Sequence, residues 1–369
     1  MSSLQRCELL TKGQIFKDES LTSPKESQNR TDKEPNDFYH ASLLSHSACG
    51  QQLCILLKSQ SDRILANHNP VYSQTIGAAS VTESTAQETN YVLQPHLVAY
   101  LDVLGQRERF KQLKMPKTPE EYLVVAEAMK RTVGIVLGLR SSFLKQFEVF
   151  EAGATNSAPG SSTLFRPRFL GHSDSFITFV ALKNDQLLNS IMTTFSVLSA
   201  ASCVVLTAMA SGHALRGGID VGPGVEMAPD EIYGPALAQA YTLESRDADY
   251  PRVLIGDGFE DQLIISVAES QKLPAIKAEN LAEIVRRMRV FITEDKDGRQ
   301  ILDYLGPFLA NVSEQSHSNI LVRRAYQFVV DEQKRWLALG NTKECGRYAL
   351  LRQYFEERLC LWGLAPRKP

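Results

Sequence analysis

From Pro95 onward, apolar and polar positions fall into blocks whose period alternates between that of a strand and that of a helix. Residues 96–104 form a short, almost unbroken apolar run stopped by Gly105, the pattern of a buried strand. Residues 119–150 carry apolar side chains at helical spacing. They open with Thr118-Pro-Glu-Glu121, which supplies an N-cap, a proline at the first helical position and first-turn acids. A Gly/Ser/Ala loop is expected over 152–162, and 168–182 reads as a hairpin turning at His172-Ser-Asp-Ser175. Residues 186–212 predict a long buried helix. Residues 215–225 predict a strand with glycines where its backbone meets a close neighbour. A helix over 234–246 and a strand over 252–255 complete the series. The order is βαββαβ with an added helix and strand, a ferredoxin-like arrangement of the α+β class.

After Gly258 the pattern turns helical, with amphipathic spacing over 280–293 and 320–336 and interleaved charged and aromatic residues over 342–361. This predicts a helical C-terminal extension, either a second lobe or a dimerisation element. Residues 1–92 are rich in Ser, Gln, Asn, Thr and Lys, with few aromatics and no sustained period. They are expected to be a low-complexity, disordered segment or a translated upstream region, with a short helix near 51–65 and no chemistry. The domain reading is therefore 1–92, 93–257 and 258–369.

Composition narrows the function classes. The chain has 369 residues, 43% hydrophobic and 22% charged, ordinary values for a soluble globular protein of one or two domains. No apolar run reads as long enough to span a bilayer, and 53–57 is too short and too far in for a secretory signal. A net charge of −2 gives no electrostatic case for nucleic acid or an anionic membrane as partner. The six cysteines form no CxxC pair, so no zinc ligand set is read, and a reduced, cytoplasmic chain is the simplest expectation.

The chemistry rests on two aspartates. Asp102 lies in the first apolar run and Asp174 at the hairpin tip. An ionised carboxylate in such a run is costly unless something pairs with it. Two of them on strand-like segments point to oxygen ligands around a divalent cation, the usual device for handling a nucleoside triphosphate. Either one alone also suits a turn. Tyr100 shares a strand face with Asp102, placed to pack on ribose or base or to serve as a core aromatic. His172 reads as a solvent-edge turn histidine. Asp220 reads as facing a cleft or solvent, with a third acid near the metals as the alternative.

Four pieces carry a family resemblance: Tyr100-Leu-Asp-Val-Leu-Gly105, His172-Ser-Asp-Ser175, Arg216-Gly-Gly-Ile-Asp-Val-Gly222, and Ile232-Tyr-Gly-Pro-Ala-Leu-Ala-Gln-Ala-Tyr-Thr-Leu-Glu244 running into Ala248-Asp-Tyr-Pro-Arg-Val253. Together they resemble the class III nucleotidyl cyclases, most closely the bacterial pyrimidine cyclases of the Pycsar antiphage system. The resemblance covers a little under half of the chain. It implies a soluble homodimeric lyase that turns UTP or CTP into a 3′,5′-cyclic nucleotide and pyrophosphate, with two divalent cations, Mn²⁺ or Mg²⁺. It also implies a cyclic-nucleotide second messenger read by a separate effector protein.

Residue by residue, the resemblance places the metals on Asp102 and Asp174 and on the Val103 carbonyl, and phosphate near the turn that Gly105 opens. It implies that the metal ligands of one protomer meet the 234–244 helix of the other. Two departures stand out. Where purine cyclases carry a base-reading Lys and Asp, this chain has Leu170 and Glu231. Where they carry a ribose-orienting Asn and a transition-state Arg, it has Ala238 and Thr242. Glu231 is therefore a candidate base contact. Arg216, Arg246 and Arg252 are candidate replacement cations, because arginine offers a forked donor to phosphate. The competing expectation is a catalytically degenerate cyclase-like domain that acts as a nucleotide-binding or protein-interaction regulator. A palm-type polymerase or diguanylate cyclase is disfavoured by the missing Gly-Gly-Asp/Glu-Glu-Phe signature.

Overall fold

A buried apolar strand organises the structure. In the computed structural model the described residues are 91–364, apart from 107–109, 112, 158–163, 173, 229, 273–274 and 313–314. The expectations for 1–92, including the helix near 51–65, fall almost entirely outside them. β1 (Gln94–Val103) is buried from His96 to Leu101 and pairs antiparallel on both sides, with β3 (Ser175–Ala181) and with β4 (Leu215–Ala228). β2 (Arg168–His172) forms the hairpin with β3. The strand order begins β2-β3-β1-β4, continues through β6 (Val253–Ile255), which runs parallel to β4, and ends at β8 (Gln300–Leu302) and β7 (Ile292–Glu294). β5 (Glu231–Tyr233) pairs with the distal end of β4. The fold is thus mixed α+β on a mixed sheet.

Alternation along β1 divides two faces. Leu97, Ala99, Leu101 and Val103 enter the main core beneath α1 (Pro119–Ser157) and α2 (Leu187–Ala210). Thr118 caps α1, its Oγ accepting from the Glu121 N–H at 3.3 Å. Leu139, Phe143, Phe147 and Phe150 line the buried stripe of α1, and Phe143 meets Phe169 and Phe176 edge-on at 5.8 and 6.1 Å. The loop expected from 152 is helical as far as Ser157. Only Ala152 and Ala154 favour a helix there, so the extra turn continues the preceding helix rather than following from local propensity, and no proline intervenes to stop it.

α2 corrects one expectation. By length and composition it is apolar enough to cross a membrane, yet 89% of its apolar window is buried inside the protein. It packs against α1, against α5 (Ala275–Arg289) and against α7 (Gln315–Ala338).

On the other face of the sheet, Val98 and Tyr100 join Ile177, Phe179 and Ile232 in a smaller cluster covered by Ala236 and Ala240 of α3 (Pro235–Thr242). Helix and strand meet there backbone to backbone. A Cβ on Gly218 would stand 2.4 Å from the Ala240 carbonyl oxygen, and one on Gly222 only 3.2 Å from the Ala236 backbone. The glycines of β4 therefore serve the close approach that the sequence predicted.

The C-terminal half is not purely helical. α4 (Asp257–Ser270) and α5 lead into the β7–β8 hairpin, and β8 extends the sheet from β6. Strands of three residues are too short to show a period, which is why this hairpin reads as the end of a helix in the sequence. α6 (Pro307–Val312), α7 and α8 (Thr342–Arg358) follow and contribute to the same main core as α2. The end is pinned by Trp362, whose indole N–H donates to the Leu305 carbonyl at 2.9 Å.

Asp220 does not face solvent or a cleft. It is buried and caps α4, accepting from its own neighbour Val221 N–H at 2.8 Å and from Phe259 N–H at 3.0 Å. Burial raises its carboxyl, and these donors oppose that shift.

Candidate functional site

The end of β1 gathers the charged residues. Asp102 is half-buried, projects to the α3 face as Tyr100 does, and lies across the ladder from Ser175 on one side and Arg216 on the other. The hairpin tip bearing Asp174 is tied to the strand by the Val103 N–H, which donates to the Asp174 carbonyl at 3.3 Å. Ser175 Oγ stands 3.1 Å from Asp102 Oδ1 and 3.3 Å from the Tyr100 hydroxyl. A carboxylate only accepts, so Ser175 donates to Asp102 and receives the Tyr100 proton. Tyr100 itself is buried in the smaller apolar cluster, its ring 5.5 Å from that of Tyr241.

The Asp102 carboxyl is pushed up to about 6. Burial is the largest cause, followed by the negative charges of Asp174 and Glu244; Ser175 and Arg216 oppose it. The two aspartates singled out in the sequence are therefore close enough to repel each other. Among the described residues, no group of three or more His, Cys, Asp and Glu stands as a metal-binding cluster. The pair Asp102 and Asp174, with main-chain carbonyls beside it, still suits a hard divalent cation in donor type. Such an ion would also offset the burial and the neighbouring negative charges that raise Asp102. Gly105 follows with φ +86° and open space around it, so its role is the turn itself.

Arg216 is at this site, but its fork is occupied. Nε and Nη2 both donate to Glu244 Oε1, at 2.8 and 2.5 Å. Glu244 is buried, on a single π-helical turn, Leu243–Asp247, that continues α3. Glu244 and Ser175 stand in the sequence only as letters of motifs, with no role to mark them. Their signal was weak: a charge at the end of an apolar helix and a serine beside the hairpin aspartate.

Arg252 is engaged elsewhere. Its guanidinium pairs with Asp295 and with Asp297 Oδ2 at 2.7 Å, and its Nη2 donates to the Asp247 carbonyl at 3.3 Å. The acids come from the turn joining β7 and β8, so Arg252 clamps that hairpin to the π-helical turn. Arg246 is exposed. Glu231 is exposed on β5, paired at Ala228, whereas Asp102 pairs at Arg216. On the order of 30–40 Å of strand separates those two positions. Within one chain the structure does not bring Glu231 to the aspartates. Thr242 back-bonds to the Ala238 carbonyl at 2.8 Å, and Leu170 packs beside the smaller cluster.

No family model matches the chain, and no curated protein matches it.

Proposed function

We propose that this chain is a cytoplasmic pyrimidine nucleotide cyclase, forming 3′,5′-cyclic UMP or CMP and pyrophosphate from UTP or CTP. The observation that carries the reading is the meeting of Asp102 and Asp174 at the end of β1, where burial and mutual repulsion hold Asp102 near 6. The strand order β2-β3-β1-β4 with α1 and α2 on one face supports a ferredoxin-like cyclase core.

In the proposed reaction the ribose 3′-oxygen bonds to the α-phosphorus and the bond from that phosphorus to the bridging oxygen breaks. Pyrophosphate leaves, and the 3′-hydroxyl proton passes to solvent. Asp102, Asp174 and the Val103 carbonyl would hold two divalent cations, Mn²⁺ or Mg²⁺, which supply Lewis-acid stabilisation of the triphosphate oxygens. Ser175 fixes the Asp102 carboxylate by donating to it. The Gly105 turn would offer backbone N–H groups to phosphate, and Arg216, across the ladder from Asp102, is a cation that acts on it. Glu231 would read the base from a second copy of the chain, since its own site is a strand-length away. This requires a C₂ homodimer with shared sites. The cyclic product would act as a second messenger in antiphage defence, read by a separate effector.

A second reading has one observation in its favour. Both Arg216 and Arg252 are already ion-paired within the chain, as a regulatory domain without catalysis would allow. Incubation with each of the four nucleoside triphosphates and Mn²⁺, with products identified by mass spectrometry, decides between them. A cyclic pyrimidine nucleotide supports the cyclase, and bound but unconverted nucleotide supports the regulator.

A further inference from the structure

The Arg216–Glu244 pair is not the pair the sheet would form by default. Arg216 stands directly across the β1–β4 ladder from Asp102. Opposite charges facing each other across antiparallel strands have their Cβ atoms about 4.5–5.5 Å apart, within reach of an ion pair. Here both fork nitrogens turn to one oxygen of Glu244 instead. Glu244 can hold them because its backbone is fixed. Its N–H stands 3.2 Å from the place a Cβ on Gly218 would take, so the π-helical turn lies directly on β4. The same turn is anchored at its far end by Asp247, which pairs with Arg299 at 2.9 Å and accepts from Arg252. Single π-helical turns inside helices are frequent at functional sites.

We propose that Glu244 is a positioning residue that holds Arg216 off Asp102, keeping both aspartates open to divalent cations until a triphosphate draws the guanidinium away. The inference rests on the two-aspartate site proposed above. If Glu244 were absent, Arg216 would swing onto its cross-strand neighbour and compete with the cation for Asp102. When phosphate oxygens arrive, they offer the guanidinium two anionic acceptors in place of the single Glu244 oxygen.

The test reads metal binding without turnover. Mn²⁺ affinity is measured by electron paramagnetic resonance at pH 7.5, in the absence of nucleotide, on the full chain. Asp102→Ala identifies the binding that belongs to this site. Glu244→Gln is expected to weaken that binding about tenfold, and Arg216→Gln to leave it equal or tighter. The double variant Glu244→Gln/Arg216→Gln is expected to return to within about twofold of Arg216→Gln alone. Recovery in the double variant is what a ligand or purely structural role for Glu244 would not produce. If Glu244→Gln fails to fold, Glu244→Asp replaces it, with a two- to threefold weakening that the added Arg216→Gln again removes. Unchanged affinity in Glu244→Gln, or a loss that persists in the double variant, overturns the inference while the metal site stands. Wild-type protein with no Asp102-dependent Mn²⁺ binding overturns the site reading and this inference together.

Discussion

Asp102 should weaken the fold at neutral pH, and replacing it by asparagine should strengthen it. The side chain is half-buried among negative charges, and its carboxyl is pushed from 3.8 to about 6. The sign follows from linkage. Below about pH 4 the carboxyl is protonated in both folded and unfolded chains and imposes no penalty. As the pH rises towards 6 the unfolded chain ionises first and is favoured, and above 6 the penalty is complete. At about 1.36 kcal/mol per pH unit the rise amounts to roughly 3 kcal/mol, which partial solvent contact reduces to about 2–3 kcal/mol. Asp102→Asn keeps an oxygen for the Ser175 hydroxyl and removes the charge. Urea titrations in EDTA should find the variant more stable by about 2–3 kcal/mol at pH 7.5, or roughly 5–10 °C in Tm, with the gain vanishing near pH 4. Adding Mn²⁺ at pH 7.5 should raise the Tm of the wild type and leave that of the variant unmoved. Parallel stability curves for the two proteins across this range would refute the claim that burial and neighbouring acids raise the Asp102 carboxyl.

Other expectations follow from the same geometry. Gly218→Ala forces a methyl to 2.4 Å from the Ala240 carbonyl and should cost about 1–3 kcal/mol in chemical denaturation. Gly134→Ala, with open space around it in α1, should instead stabilise by about 0.5–1 kcal/mol; a neutral Gly218→Ala would show that α3 does not rest on β4. Arg252→Met removes the buried cation from Asp295 and Asp297, which keep Tyr250 and Arg299 beside them, and should lower stability by about 3 kcal/mol. Its activity per folded molecule at low temperature should be kept, and a folded but inactive variant would return Arg252 to the catalytic machinery. Mixing Asp102→Ala chains with Glu231→Ala chains should restore up to one working site per heterodimer. Persistent inactivity despite heterodimer formation, seen by native mass spectrometry, would rule out shared sites.

The central strand, the hairpin and the glycine-bearing strand were legible because each combines a clear period with a turn signal. Gly105, His172-Ser-Asp-Ser175 and Gly218 mark places where the backbone must turn or be approached. Asp102 and Asp174 stood out because a charge in an apolar run has few structural uses. Asp220 met the same description and was misplaced. Its partners are backbone N–H groups, of the adjacent Val221 and of Phe259 in α4 nearly forty residues on, and main-chain donors leave no mark in side-chain composition. Arg252 was hidden similarly, since its acids arrive on a hairpin of three-residue strands. Glu244 became visible only when β4 placed Arg216 beside it, because a cross-element ion pair has no sequence period.

Whether this chain is a pyrimidine cyclase is decided by identifying its products. Purified wild-type chain, Asp102→Ala and Asp174→Ala are each incubated with ATP, GTP, CTP and UTP and Mn²⁺, and the products resolved by mass spectrometry. The wild type should yield cyclic UMP or cyclic CMP, with UTP slightly favoured although the uracil ring N–H and the cytosine amine both suit the Glu231 carboxylate, and neither folded variant should yield a cyclic product. Cyclic AMP or cyclic GMP as the dominant product, cyclisation that survives loss of either aspartate, or no cyclic nucleotide from any of the four substrates would contradict this expectation.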